Sequence, residues 1–289
     1  MRRLVLVSTA LCVAVLALAA CTRGVTEFLL YSQALEAQYE QGQLVLDRLA
    51  RAERIVVRRR LPSRSPDSDF DPDSAAYYLD VGDPPLTASI RASLRSLKQY
   101  SDALAGLANG EAAEALSARL AAVSTNLVQA AGALQVAAGA GLPGAGGFAQ
   151  SATGAITQAL PIVRQVGAIA GRDAFRKQLI QAYPAMRQLV IALRDGTPVM
   201  YEVMRRSYVR RGSLDTASGI PASALDSLKA DRDLLAGWVL LMDESIKAMD
   251  TAVKAAMSKA SPTDLATLTA ASVELRALSE QIRDIRKRP

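Results

Sequence analysis

The chain reads as an apolar–polar rhythm with a helical period. From Val25 to Val57, Phe28, Tyr31, Leu35, Tyr39, Leu46, Leu49 and Val56 recur at spacings of three, four and their multiples, which gathers them on one helix face. A polar segment, 59–85, dense in Pro, Asp and Ser, interrupts the rhythm. Asp83-Pro84-Pro85 then predicts a helix start, since proline lacks only an N–H that the first turn leaves unpaired. Ile90, Leu94, Leu97, Leu104 and Leu107 carry this second helix to Asn109-Gly110. Leu116, Leu120, Val123, Leu127 and Leu134 carry a third to a glycine-rich hairpin turn, 139–147.

A fourth helical stretch is predicted over 148–195, bent at Pro161 and Pro184, because an interior proline removes a ladder bond and crowds the preceding turn. Gly196-Thr197-Pro198 stops it and opens a short helix to Arg211. After a loop, 212–221, comes the longest pattern: Leu225, Leu228, Leu235, Trp238, Met242, Ile246, Met249, Val253 and Met257. Ser261-Pro262-Thr263-Asp264 caps a last helix whose Leu265, Leu268, Leu275, Leu278, Ile282 and Ile285 face inward. No useful strand alternation and no clean internal repeat occur. The expected fold is all-α: an elongated antiparallel helical bundle with long coiled-coil-like hairpins, forming a single domain over 21–289.

The first residues follow another logic. Met1-Arg2-Arg3 is a short positive region, and Leu4 to Ala20 is an uninterrupted apolar or small run of about 17 residues, short for a bilayer span. It ends Leu18-Ala19-Ala20-Cys21, followed by Thr22-Arg23-Gly24. This ending resembles the lipobox of bacterial lipoproteins. The resemblance implies a signal peptide over 1–20, cleavage before Cys21 and diacylglycerol on the Cys21 thiol, so that the membrane is the first partner. In that family an Asp after the cysteine favours inner-membrane retention. Thr22 stands there instead, which implies an outer-membrane anchor with the chain facing the periplasm. Cys12 would leave with the signal peptide, so Cys21 would be the mature chain's one thiol and no intramolecular disulfide could form.

Composition narrows the function classes. Abundant Ala, Leu, Arg and Ser with few aromatics favour helices. Removing Arg2 and Arg3 lowers the formal charge from +6 to about +4, an excess better suited to anionic lipid or cell wall than to nucleic acid. The chain has no histidine, which removes Ser-His-Asp and Cys-His catalysis, His-ligated zinc or haem, and the Glu-x-x-His di-metal motif. It has no P-loop and no nucleophile elbow, and its Gly-x-Gly arrangements follow a helix rather than a strand. These absences point to a non-enzymatic protein.

Three features rise above that background. Counting from Asp69, the carboxylates of Asp69, Asp71, Asp73 and Asp80 fall at positions 1, 3, 5 and 12, a spacing that resembles EF-hand calcium loops. Ser74 replaces the turn glycine, an aspartate replaces the bidentate glutamate, and Pro72 interrupts the run, so a plain solvated acidic loop is the preferred reading. Basic clusters mark three helix ends: Arg54, Arg58, Arg59, Arg60 and Arg64; Arg205, Arg206, Arg210 and Arg211; Arg283, Arg286, Lys287 and Arg288. The helix macrodipole favours cations there, and the same groups could meet peptidoglycan or an acidic envelope protein. Finally, no charge occurs from Leu120 to Val163, a hairpin of small residues that reads as a tightly packed bundle tip or as a segment able to enter a bilayer.

The expected function is a helical scaffold, tether or protein-interaction module of the cell envelope. The alternative is a membrane-active, pore-forming-like protein using the uncharged hairpin. The anchor is tested by mass spectrometry and cell fractionation: wild type is expected to carry an acyl mass at Cys21, and Cys21→Ser to remain unprocessed without it. An unacylated wild type, or a Cys21→Ser variant processed and retained like wild type, would remove the anchor.

Overall fold

A computed structural model describes residues 25–59, 72, 75–165, 172–209, 220–258 and 260–287. The signal segment and Cys21 lie outside them. Nine α-helices follow in order among the described residues. They are α1 (Val25–Arg58), α2 (Ala75–Tyr78), α3 (Pro85–Ala108), α4 (Ala113–Gly139), α5 (Ala145–Arg164), α6 (Arg172–Asp195), α7 (Thr197–Tyr208), α8 (Leu225–Met257) and α9 (Pro262–Lys287). The described residues contain no strand.

The periodic positions become the core. Phe28, Tyr31, Leu35, Leu46, Leu49 and Val56 of α1 are buried, as are Leu235, Trp238, Met242, Met249 and Val253 of α8. Leu225 and Met257, the first and last members of the α8 pattern, are exposed. Helices α3, α4, α5 and α6 close one four-helix arrangement, and α1, α3, α6 and α8 close a second that shares α3 and α6. Helix α9 lies against α1 and α8, and α7 packs on the same two.

Side-chain pairs fix the directions. Tyr31 meets Ser101 while Glu53 meets Leu86, so α1 and α3 run antiparallel. Asn126 donates to Gln99 at 2.7 Å, 27 residues along the α3–α4 hairpin. Helix α4 therefore starts beside the start of α1, and the turn that ends it lies at the opposite end of the bundle. For a 27-residue α4, the separation is about 40 Å at 1.5 Å per residue.

Trp238 is fully buried where the second arrangement closes, its indole N–H donating to the Leu193 carbonyl at 3.3 Å. A Cβ at Gly42 would lie 3.3 Å from the Trp238 ring and 3.0 Å from Leu94. A glycine in mid-α1 costs helix propensity, and here it lets the largest side chain of the core approach the backbone.

The structure corrects the expected 148–195 stretch. It is two antiparallel helices, α5 and α6, joined where Gln178 donates to the Ile162 carbonyl at 2.7 Å. Pro161 and Pro184 both sit inside helices at exposed positions. The reversal falls instead between Arg164, where α5 ends, and Arg172, where α6 begins; residues 166–171 lie outside the described residues. Helix α7 ends at Tyr208; Arg210 and Arg211 lie outside the described residues. Ser261 and Asp264 form the expected cap of α9, the Ser261 hydroxyl accepting from the Asp264 N–H at 3.3 Å.

In the uncharged hairpin the apolar residues point inward: Leu120, Val123, Leu127, Ala130 and Leu134 of α4, and Ala152, Ala155, Ile156 and Ala159 of α5. Thr125, Gln129, Gln135, Gln150, Thr157 and Gln158 face outward. Small inward residues allow the helices to approach closely, so a buried charge there has neither room nor water. Ala155→Glu is expected to lower stability by about 3 kcal/mol in thermal melting followed by circular dichroism. Gln158→Glu, on the exposed face, is expected to leave the melting temperature unchanged.

Candidate functional site

The densest polar constellation lies at the C-terminal end of α1, far from Val25. It begins with a missing cap. Helix α3 opens on Pro84-Pro85, and Pro84 has no side chain to accept the first free N–H groups. Glu53, a turn from the end of α1 and fully buried, supplies the acceptor instead. Its Oε1 accepts from the Leu86 N–H at 2.9 Å and the Tyr77 hydroxyl at 3.0 Å. Its Oε2 accepts from the Thr87 N–H at 2.9 Å and the Thr87 hydroxyl at 2.8 Å. Burial pushes the Glu53 carboxyl above its ordinary range, while these four donors and the positive end of the α3 dipole pull the other way. Burial and the neighbouring Glu53 carboxylate push the Tyr77 phenol up as well.

The arginines around Glu53 tie down the segment before α3. The half-buried guanidinium of Arg54 donates to the carbonyls of Ala76 and Gly82. Arg58 donates to the Tyr77 carbonyl and pairs with Asp80 at 2.8 Å. Arg91 holds Asp83 through two hydrogen bonds, at 2.6 and 3.1 Å, and reaches Asp47 at 2.9 Å. Arg59 donates to the carbonyls of Arg206, Ser207 and Val209, closing the C-terminus of α7. Farther along α1, Arg48 pairs at 2.5 Å with the buried Asp231 of α8, which also accepts from the Tyr208 hydroxyl at 2.8 Å. A single carboxylate thus joins α1, α7 and α8.

This geometry places two of the features picked out in the sequence. Arg54, Arg58 and Arg59 are occupied within the chain, mostly by backbone carbonyls, at the helix end where the macrodipole favours cations. Arg205 and Arg206 both bind Glu202, at 2.8 and 2.7 Å, and these bonds hold its carboxyl down to about 2. Arg60, Arg64, Arg210, Arg211 and Arg288 lie outside the described residues. Of the calcium-like set, Asp80 is exposed and paired with Arg58, while Asp69, Asp71 and Asp73 lie outside the described residues. Among the described residues no group of three or more Asp, Glu or Cys side chains converges as metal ligands would.

Glu53 and Tyr77 were not singled out by sequence reasoning, though a signal existed. Glu53 stands within the apolar stripe between Leu49 and Val56, where a carboxylate has no place unless donors meet it. Glu53 faces donors that fix the start of α3, and Asp47, Asp80, Asp83 and Asp231 each pair with an arginine. No family model, curated protein or solved structure matches the chain.

Glu53→Gln keeps the shape but offers one acceptor oxygen and sets an amide NH2 against donors. A loss of about 2 kcal/mol is expected in urea unfolding. The pH dependence has a definite sign. A carboxyl whose folded pKa is raised binds its proton more tightly in the folded state. Wild-type stability relative to Glu53→Gln should therefore fall as pH rises from the unfolded carboxylate value through the raised one, and be level above it. A difference that grows with pH would mean that the four donors outweigh burial.

Proposed function

We propose that this protein is a lipid-anchored, non-enzymatic helical scaffold of the cell envelope that carries an interaction surface away from its membrane. Cys21 holds the anchor, at the outer membrane that Thr22 implies, and the bundle reaches into the periplasm. Its partner is an envelope protein or peptidoglycan, and no nucleic acid is involved.

One observation carries the reading: the start of α1, four residues past Cys21, and the glycine-rich turn lie at opposite ends of the bundle. An anchor at Cys21 would hold the turn about 40 Å from the lipid. Spacing of that kind suits a tether. Support also comes from the exported-protein signal, from the missing histidine, and from carboxylates whose partners are structural.

A membrane-active reading has its own support in α4. That helix is long and apolar enough to cross a bilayer, with a mean hydropathy of 1.2 over its best window. Against it stand the amides of Gln129 and Gln135 on its outer face, costly in hydrocarbon unless paired.

A photocrosslinking amino acid at Gln135, near the turn, and another at Glu114, near the start of α1, separate the two in intact cells. The tether reading expects Gln135 to capture one envelope partner and Glu114 to capture lipid. Lipid capture at Gln135, with dye release from vesicles by the purified chain, would replace the tether by the membrane-active protein.

A further inference from the structure

Away from the α1–α3 clasp, an open groove of about 690 Å³ runs between α7 and α8. Its volume lies within the range of small-molecule sites. Its floor and walls are apolar: Leu235, Ala236 and Val239 from α8, with Pro198 and Tyr201 from α7. Arg232 stands at one end. Positions 232, 235, 236 and 239 follow the three-four spacing of a single α8 stripe, so the charge and the apolar floor are collinear. The stripe extends about 10 Å at 1.5 Å per residue, the length of an extended octyl chain.

The electrostatics give the ligand its sign. Arg194, also on the rim, is committed to Asp195 at 2.8 Å and Asp243 at 2.6 Å. Arg232 makes no ion pair among the described residues. Its guanidinium lies 5.5 Å from the centre of the Tyr201 ring and donates to the Tyr201 hydroxyl at 3.0 Å. Both contacts hold the group in place without neutralising it. A planar guanidinium so held presents its remaining N–H groups as a fork for a carboxylate.

We propose that the α7–α8 groove binds a medium-chain alkyl carboxylate, with its head on Arg232 and its chain along Leu235, Ala236 and Val239. One uncommitted cation calls for a monoanion, and an unbroken apolar floor calls for a tail without polar groups. The proposal does not rest on the lipid anchor.

The test uses the full-length chain in membranes with octanoate carrying a diazirine at its tail. Labelling is expected in the peptides around Pro198–Tyr201 and Leu235–Val239, displaced by octanoate and not by octanol. Arg232→Gln should weaken labelling about tenfold through the lost charge-assisted bonds, and Ala236→Trp should abolish it by filling the groove. Both positions are exposed, so melting by circular dichroism should be unchanged; if Ala236→Trp unfolds, Arg232→Gln alone decides. Equal displacement by octanol, labelling indifferent to Arg232→Gln, or labels confined to other helices would overturn the site. A tripeptide ending in leucine that displaces the label where octanoate does not would also overturn it, in favour of a protein C-terminus.

Discussion

A carboxylate taken out of water must be met by donors or it will unfold what surrounds it. Glu53 is met by a helix terminus. The two backbone N–H groups it accepts are the ones that Pro84-Pro85 leaves exposed at the start of α3, so two unfavourable burials cancel each other. The pairing reaches from α1 across 33 residues to α3 and takes in Tyr77 on the way. Arg54, Arg58 and Arg91 then bind the backbone and carboxylates of the segment between, so one polar cluster sets both the angle between α1 and α3 and the path of the connection.

The same device recurs with other residues. Asp231 collects Arg48 and Tyr208, Arg59 closes α7, and Tyr100 of α3 donates to the Leu179 carbonyl of α6 at 2.8 Å. In each case a long polar side chain on one helix satisfies backbone or charge on another. Apolar stripes bring such helices together without fixing their axial offset. Directional bonds of this kind fix it, and they explain how a core of Ala and Leu, short of large interlocking side chains, keeps one register.

Periodicity made the helices legible because inward positions must recur every three or four residues, and α1, α3, α4, α8 and α9 follow that rule closely. It is less informative elsewhere. Pro161 and Pro184 both lie within helices, and the break in the 148–195 stretch falls between α5 and α6. At the basic end of α1 the macrodipole and a partner surface both stay open in the sequence, because arginines spent on carbonyls look the same there as arginines left free. Asp80, the last carboxylate of the calcium-like spacing, pairs with Arg58, in keeping with the preferred reading of a solvated acidic loop beside the basic end of α1. Glu53 could have been found from an uncapped Pro-Pro start and a carboxylate in an apolar stripe. The groove beside Arg232 had no local signature, since its two walls come from helices that meet only in the fold.

The packing of α9 on α1 sets the first helix against the last. Helix α1 can also settle against α8 only after most of the chain exists, so its environment is assembled from contacts distant in sequence. Folding of such a topology is slower than that of a helical protein built from adjacent hairpins. The chain carries a built-in reporter of this late step. Trp238, its one tryptophan, sits where α8 meets Gly42 of α1 and the Leu193 carbonyl of α6. Indole emission therefore follows the joining of the two halves of the chain, and is silent about hairpins such as α4–α5 that close on their own.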